Sequence, residues 1–314
     1  MQPDISIIIP SYKAEPWISR ALESISGQRR SLNIETIVVE DGCFDATKSV
    51  VDKFEDTRLI TLERNHGAPA ARNYGLNAAR SNYVLFLDAD DYIQGPLLDG
   101  LVSALKSSSA DVAFGPMRQM GAHYNATNIF YPEKCDSLSW IAARLEGRRW
   151  AKPWPGRVAW RKSVLLSNGG WNESLEGGQD EELVIRCLLN GAESTVSREG
   201  VGIYWQHDSP TRITNSRNNE ISAQVTYRQI KEWIDSGAGQ GGALRMPLAK
   251  FCYRVAERSY WDGSIAEGEA WLSRARALGL PGHPGSLRHK LLSNVLGLRR
   301  KQKVAFLFNR IRNL

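Results

Sequence analysis

An apolar run of strand length, Val84-Leu85-Phe86-Leu87, ends in Asp88-Ala89-Asp90-Asp91, three carboxylates within four positions. Charges of one sign this close repel, and all three stay ionised only with help from solvent or from a bound positive centre. One or two carboxylates, completed by substrate phosphates, are a common way for a protein to hold Mg²⁺ or Mn²⁺. The other reading is an acidic turn after a buried strand, and so short a pattern fits either.

The chain upstream carries the elements needed to place this cluster. Ile5-Ser6-Ile7-Ile8-Ile9 is a β-branched run that suits a buried parallel strand, with Pro10 expected to stop it. From Pro16 to Gln28, the residues Trp17, Ile18, Ala21, Leu22 and Ile25 share one helical face, and Pro16 suits a first turn. A second strand is expected from Ile34 to Glu40, then a helix capped by Asp45 and carrying Ala46, Val50, Val51 and Phe54. Arg58 to Leu62 reads as a third strand, Pro69 to Arg80 as a third helix and Tyr83 to Leu87 as a fourth strand. Strands and helices alternating at such short intervals predict βαβ units, hence an α/β fold with a mostly parallel central sheet flanked by helices. Ligands bind such sheets beyond the carboxyl ends of the strands, here Pro10 to Tyr12, Glu40 to Gly42 and Asp88 to Asp91.

These three segments, with Asn65-His66-Gly67-Ala68-Pro69-Ala70-Ala71-Arg72-Asn73-Tyr74-Gly75, resemble the family 2 glycosyltransferases of GT-A fold over roughly residues 4 to 215. In that family the first strand ends in Pro-Ser-Tyr or a close variant and the second in Asp-Asp-Gly-Ser; here the second reads Glu40-Asp41-Gly42-Cys43. The resemblance implies that Pro10, Ser11 and Tyr12 belong to the nucleotide site, with Ser11 and Tyr12 bordering the base and Asp41 accepting a hydrogen bond from a uracil ring. It carries over Arg72 as a donor-site residue, sets Asp88 against the ribose, and gives Asp90 the Mn²⁺ or Mg²⁺ that bridges the diphosphate. Singly, each has a quieter explanation: Asp41-Gly42 is a turn signal, Arg72 a solvated helix residue, Tyr12 a packing residue at a sheet edge. What sets the resemblance apart is five motifs in order.

The fifth is Gly177-Gly178-Gln179-Asp180-Glu181-Glu182-Leu183-Val184-Ile185-Arg186, which resembles the family's Glu-Asp-x-Asp/Glu-Leu-x-x-Arg segment at the start of a helix. There the second acidic residue is the catalytic base, which implies that role for Asp180; Gln179 departs from the usual Glu. Carboxylates are favoured in the first turn of any helix by its dipole, which alone accounts for Glu181. Glu182 and Arg186, four apart, are expected to form an ion pair. Gly169-Gly170-Trp171-Asn172-Glu173 resembles the family's Gly-Gly-Phe-Asp-Glu and, with Lys152-Pro153-Trp154-Pro155-Gly156-Arg157, fits an acceptor half. Trp154 and Trp171 are candidates to stack on sugar rings, although with ten Trp in the chain most must be core. His207 stands where many relatives carry a His after the last sheet strand. Three roles are open to it: completing the metal shell, contacting the diphosphate, or structural hydrogen bonding.

A chain of 314 residues with 42% apolar content suits one large or two modest domains. The resemblance implies a GT-A catalytic domain over 1–215, with a nucleotide-binding half about 1–115 and an acceptor half about 116–215. A helical C-terminal region is expected over 216–314, with helices from Asn219 to Ser236, over 244–261 and over 265–278, and a break at Gly237-Ala238-Gly239-Gln240-Gly241-Gly242. The N-terminus enters a strand within a few residues without a basic start, and no apolar stretch approaches a membrane span. Cys43, Cys135, Cys187 and Cys252 are dispersed with no Cys-x-x-Cys pair, so reduced thiols in a cytoplasmic protein are expected.

Eight lysines and arginines and no acid lie between Arg288 and the C-terminus, so against a whole-chain charge of +6 the remainder is net −2. Leu291, Leu292, Val295, Leu296, Val304, Phe306 and Leu307 are interleaved with this charge. The tail over 288–314 reads either as a basic amphipathic helix for an anionic membrane surface, peripheral on the inner face of the cell membrane, or as a helix packed on the catalytic domain. Nothing in the chain points to nucleic acid.

The resemblance thus implies a metal-dependent, inverting transferase that moves a hexosyl or N-acetylhexosaminyl group from a UDP-sugar to a hydroxyl of a saccharide or glycolipid, in surface polysaccharide or lipopolysaccharide synthesis. A sugar-phosphate nucleotidyltransferase or a Rossmann dehydrogenase would carry glycines after the first strand, and Pro10-Ser11-Tyr12 has none. A degenerate transferase that binds nucleotide sugar or saccharide without turnover stays open, opposed by the carboxylates at Asp88, Asp90 and Asp180.

Overall fold

The computed structural model describes residues 2–28, 31–43, 45–121, 124–125, 128–207, 216–238, 242–284 and 297–298. Along the chain, β1 (Ile5–Ser11), α1 (Ile18–Ser26), β2 (Ile34–Asp41), α2 (Thr47–Val51), β3 (Thr57–Leu62), α3 (Ala68–Ala78) and β4 (Tyr83–Phe86) alternate as expected. Then come β5 (Tyr92–Gln94), α4 (Leu97–Lys106), β6 (Val112–Phe114), β7 (Met117–Gly121), β8 (Tyr124–Asn125), α5 (Ser137–Leu145), β9 (Val158–Arg161) and α6 (Lys162–Ser167). The last elements are α7 (Gln179–Leu189), β10 (Ser194–Val196), β11 (Val201–Gln206), α8 (Ser216–Asp235), α9 (Gly242–Trp261) and α10 (Ile265–Ala277). Two compact units result, one of residues 1–139 and 149–226, the other of 140–148 and 227–314.

The first unit is built on a seven-stranded sheet of order β10-β6-β9-β4-β1-β2-β3 and a four-stranded sheet of order β5-β11-β7-β8. In the larger sheet β1, β2, β3 and β4 pair in parallel, as do β6 and β10, while β9 runs antiparallel between β4 and β6. Both faces of this sheet are buried: on one, Ile5, Ile7, Ile9, Leu85 and Leu87 meet Ile18, Ala21, Leu22 and Ile25 of α1 and Leu97, Leu98, Leu101 and Leu105 of α4, and on the other Gly75 of α3 lies against Ile8 and Val39. Each such leucine or isoleucine contributes about 1.5–3 kcal/mol by leaving water, which is what holds these helices over the strands.

Pro10 does not stop β1. The strand runs on to Ser11 with Pro10 in register with Val39. The Leu87 amide donates to the Ile8 carbonyl, so by alternation the backbone groups of residue 10 also face β4. β4 ends at Phe86, opposite Ile8. The missing proline N–H therefore falls where no partner strand needs it.

The second unit is helical. In it the Trp271 ring meets Tyr227 and Phe251 edge to face at 5.7 and 6.2 Å, and the Arg274 guanidinium lies 4.3 Å from the centre of the Trp271 ring. Lys250 pairs with Glu146 at 2.7 Å. Among the described residues no helix is long and apolar enough to cross a membrane. The basic tail over 288–314 lies outside the described residues apart from Gly297 and Leu298.

Candidate functional site

The carboxyl ends of β1, β2 and β4 open into a cleft of about 390 Å³. Its lining includes Pro10, Ser11, Tyr12, Asp41, Arg72, Asp88, Asp90 and His207, brought together from five separate places along the chain. The parallel sheet is the cause, since each strand delivers its last residues to the same edge.

Asp41 ends β2 and is buried, and its two carboxylate oxygens accept the amides of His66 and Gly67, each at 2.8 Å. Both oxygens keep lone pairs for a further donor. Gly42 next to it has φ of 64° and passes so close to Arg64 that a Cβ would sit 2.2 Å from its carbonyl carbon, so only glycine fits this turn. Ser11 is fully buried, and its Oγ has no hydrogen-bond partner among the described residues, an acceptor and donor free for a ligand. Tyr12 is 44% exposed at the rim.

The acidic cluster splits into three roles. Asp88 Oδ1 accepts Arg72 Nη2 at 2.6 Å. Asp91 is buried and accepts the Trp205 amide at 2.8 Å, which ties the loop to β11 and takes this carboxylate out of the cleft. Asp90 Oδ2 lies 3.0 Å from His207 Nε2, whose ring stacks on Trp17 at 4.4 Å. Burial, reinforced by the Asp88 carboxylate, holds the Asp90 carboxyl above its ordinary pKa despite the hydrogen bond from His207. Such a carboxylate is short of positive charge, and a divalent cation would supply it. Asp90 and His207 place an oxygen and a nitrogen donor side by side, a pair whose chemistry would suit Mn²⁺ or Mg²⁺.

Among the described residues, the cluster of three potential ligands within 4.8 Å of one another is instead Glu40, Cys43 and Asp45. Burial raises the Cys43 thiol, so the thiolate that binds metal is disfavoured there.

Arg72 is the centre of the site's charge. It is buried, donates to Asp88 and, through Nη1 at 3.0 Å, to Gln179 Oε1, and its guanidinium lies 4.3 Å from the centre of the Trp171 ring. Gln179 in turn donates to the Leu175 carbonyl at 2.9 Å, a bond that a glutamate could not make. Asp180 follows in the first turn of α7, whose N-cap Gly178 adopts a left-handed conformation against Ser222. Asp180 does not line the cleft but senses it. Burial pushes its carboxyl up to about 6, Arg72 opposes the rise and Asp88 adds to it. Glu182 and Arg186 form the expected ion pair at 2.7 Å, and Arg186 also donates to the Gly170 carbonyl.

Trp171 is not a sugar platform. It is only 3% exposed, meets Phe86 edge to face at 5.0 Å and supports Arg72. Its backbone is clamped by Asn73, whose Oδ1 accepts the Trp171 amide and whose Nδ2 donates to the Trp171 carbonyl. Trp154 is half-buried and stacks face to face on Tyr204 of the cleft wall at 4.6 Å. Lys13, Trp17 and Asn65 also line the cleft and were missed from sequence. Lys13 could have been found by following Pro10-Ser11-Tyr12 one residue past the strand end, where it adopts φ of 52°.

Residues 6–149 match the family model described as Glycosyl transferase family 2. Over 152 residues the chain is 30% identical to the uncharacterized glycosyltransferase EpsJ of Bacillus subtilis, an alignment covering 48% of this chain and 40% of EpsJ. It is 39% identical over 90 residues to UDP-Glc:alpha-D-GlcNAc-diphosphoundecaprenol beta-1,3-glucosyltransferase WfaP of Escherichia coli, covering 28% of this chain and 36% of WfaP. The chain thus spans two fifths or less of these curated relatives. The crystal structure of S. aureus TarS 1-349 in complex with UDP-GlcNAc superposes on 88% of this chain and 79% of its own with a TM-score of 0.67 at 20% identity, a likeness of GT-A fold.

Proposed function

We propose that this member of glycosyl transferase family 2 is a metal-dependent, inverting enzyme that moves a hexosyl or N-acetylhexosaminyl group from a UDP-sugar to a hydroxyl of a saccharide or glycolipid, in polysaccharide synthesis. The observation that carries this reading is the convergence of Ser11, Tyr12, Asp41, Arg72, Asp88 and Asp90 on one cleft. Asp41, held by two amides, would accept the ring N–H of the base, with Ser11 and Tyr12 beside it and Asp88 facing the ribose. Asp90 and His207 would hold Mn²⁺ or Mg²⁺, whose charge would offset the negative charge that builds on a departing diphosphate. Asp180 would take the proton of the acceptor hydroxyl as its oxygen bonds to the anomeric carbon. The bond from that carbon to the diphosphate breaks on the opposite side, so the anomeric configuration inverts. With its pKa at about 6, the carboxyl is about nine-tenths ionised at pH 7, near the optimum for a general base.

The names of WfaP and TarS support a UDP-sugar donor, and that of WfaP a lipid-linked acceptor. Such an acceptor sits at a membrane, where the basic tail over 288–314 would dock on anionic headgroups. The test is incubation with a panel of UDP- and GDP-sugars and Mn²⁺, assayed for slow donor hydrolysis. Hydrolysis of a UDP-sugar is expected. Binding without turnover across the panel would favour a nucleotide-sugar binding protein instead.

A further inference from the structure

Helix α1 has two faces with different tasks. Ile18, Ala21, Leu22 and Ile25 enter the core, while Arg20, Ser24 and, just past the helix, Gln28, spaced by one turn each, engage the stretch from Asp90 to Gly95, and the N-cap residue Trp17 engages His207 after β11. Gln28 donates to the Gly95 carbonyl, and Ser24 accepts the Ile93 amide at 3.2 Å. Trp17 stacks on His207. Arg20 donates to the Asp90 carbonyl at 2.7 Å, with its guanidinium 4.5 Å from the Tyr92 ring centre and 4.3 Å from that of Trp205.

The loop from Asp88 to Asp91 is thereby held at three points. Arg72 holds the Asp88 side chain, the Trp205 amide holds the Asp91 side chain, and Arg20 holds the Asp90 backbone. Only the last acts on the residue whose carboxylate faces His207. A planar guanidinium packed against two aromatic rings has little freedom to turn, so its hydrogen bond fixes the direction of the Asp90 peptide and with it the start of the side chain.

We propose that Arg20 is a positioning residue that presets Asp90 for a divalent cation, with Trp17 steadying His207 from the N-cap of the same helix. The inference rests on the reading of Asp90 as a metal ligand. Groups that orient a ligand in this way typically change metal affinity by about 10–100-fold when removed.

The experiment is calorimetry of UDP binding with and without Mn²⁺ on the full chain, comparing Arg20→Met, Arg20→Lys and Asp90→Asn, each with a melting curve. Arg20→Met keeps the apolar stem and loses the donors. It is expected to reduce the Mn²⁺-dependent gain in UDP affinity by about tenfold or more while metal-free UDP affinity stays within twofold. Arg20→Lys, which keeps a cation between the rings without the planar fork, is expected to fall between, and it is read in place of Arg20→Met should that variant fail to fold. Asp90→Asn is expected to abolish the gain. If Asp90→Asn abolishes it and neither Arg20 variant lowers it, Arg20 is not a positioning residue. If Asp90→Asn leaves the gain intact, the metal reading itself fails. If the Arg20 variants lose metal-free UDP affinity to the same degree, Arg20 supports the cleft as a whole and the inference is wrong.

Discussion

Replacing Asp180 by asparagine separates two consequences of one burial. Asparagine keeps the shape and removes both the basicity and the charge. General-base catalysis contributes about 10²- to 10⁴-fold, and turnover should fall by that range while UDP affinity with Mn²⁺ survives, because Asp41, Asp88 and Asp90 are untouched. Stability should move the other way. Carrying a carboxyl from 3.8 to about 6 corresponds to at most about 3 kcal/mol, a cost present only when the group is ionised in the folded state. Because the folded pKa is the higher one, the folded state binds more protons between these values, and stability is lost as pH rises from about 4 to about 6. Above that window Asp180→Asn should therefore melt several degrees higher than wild type, at about 2–4 °C per kcal/mol, and below about pH 4 the two should coincide. Wild-type turnover should in turn climb as pH passes through about 6, a limb the variant lacks. Melting curves at pH 4 and 7.5 and a pH profile of transfer measure all of this. Transfer within a few-fold of wild type would remove Asp180 as the base and make Glu181 the next candidate. An unchanged or lower melting temperature at pH 7.5 would refute the desolvation argument.

Three further perturbations follow from particular residues. Arg157 is 1% exposed, its three guanidinium nitrogens have no hydrogen-bond partner among the described residues, and burial pushes its pKa down to about 9. Arg157→Met keeps the stem and removes the buried charge, so the melting temperature should rise, by analogy with the about 1–4 kcal/mol gained when buried ion pairs become apolar; a fall would mean that the guanidinium is satisfied in solution. Gln179→Glu sets a second carboxylate beside Asp180 and draws on the charge of Arg72, so the acidic limb of the transfer profile should move to higher pH, and an unmoved limb would separate Asp180 from that limb. Removing residues 288–314 should reduce binding to anionic liposomes and leave a weakly salt-dependent remainder with UDP affinity unchanged; aggregation or early melting would identify the tail as a packed element.

The sequence by itself determined the elements and the edge of the sheet at which chemistry collects. Apolar runs such as Ile5 to Ile9 and helical stripes such as Ile18, Ala21, Leu22 and Ile25 are set by near-neighbour sterics and periodicity, which are local. Parallel connection then sends Ser11, Asp41 and Asp88 to one end without knowledge of any contact. Tertiary structure alone decided the rest. The direction of β9 and the tolerance of Pro10 inside β1 depend on which strand lies alongside and where it ends. Trp171, a candidate from sequence to stack on a sugar, is core, because it is buried with Phe86 edge to face and the Arg72 guanidinium over its ring. Arg72 and Gln179 are 107 residues apart and share one hydrogen bond, and Arg20 reaches Asp90 across 70. The pKa of Asp180 is the clearest case: it is set first by desolvation, then by Arg72 on α3 and Asp88 just past β4, all of which act through space, while Glu181, its neighbour in sequence, adds only a lesser push.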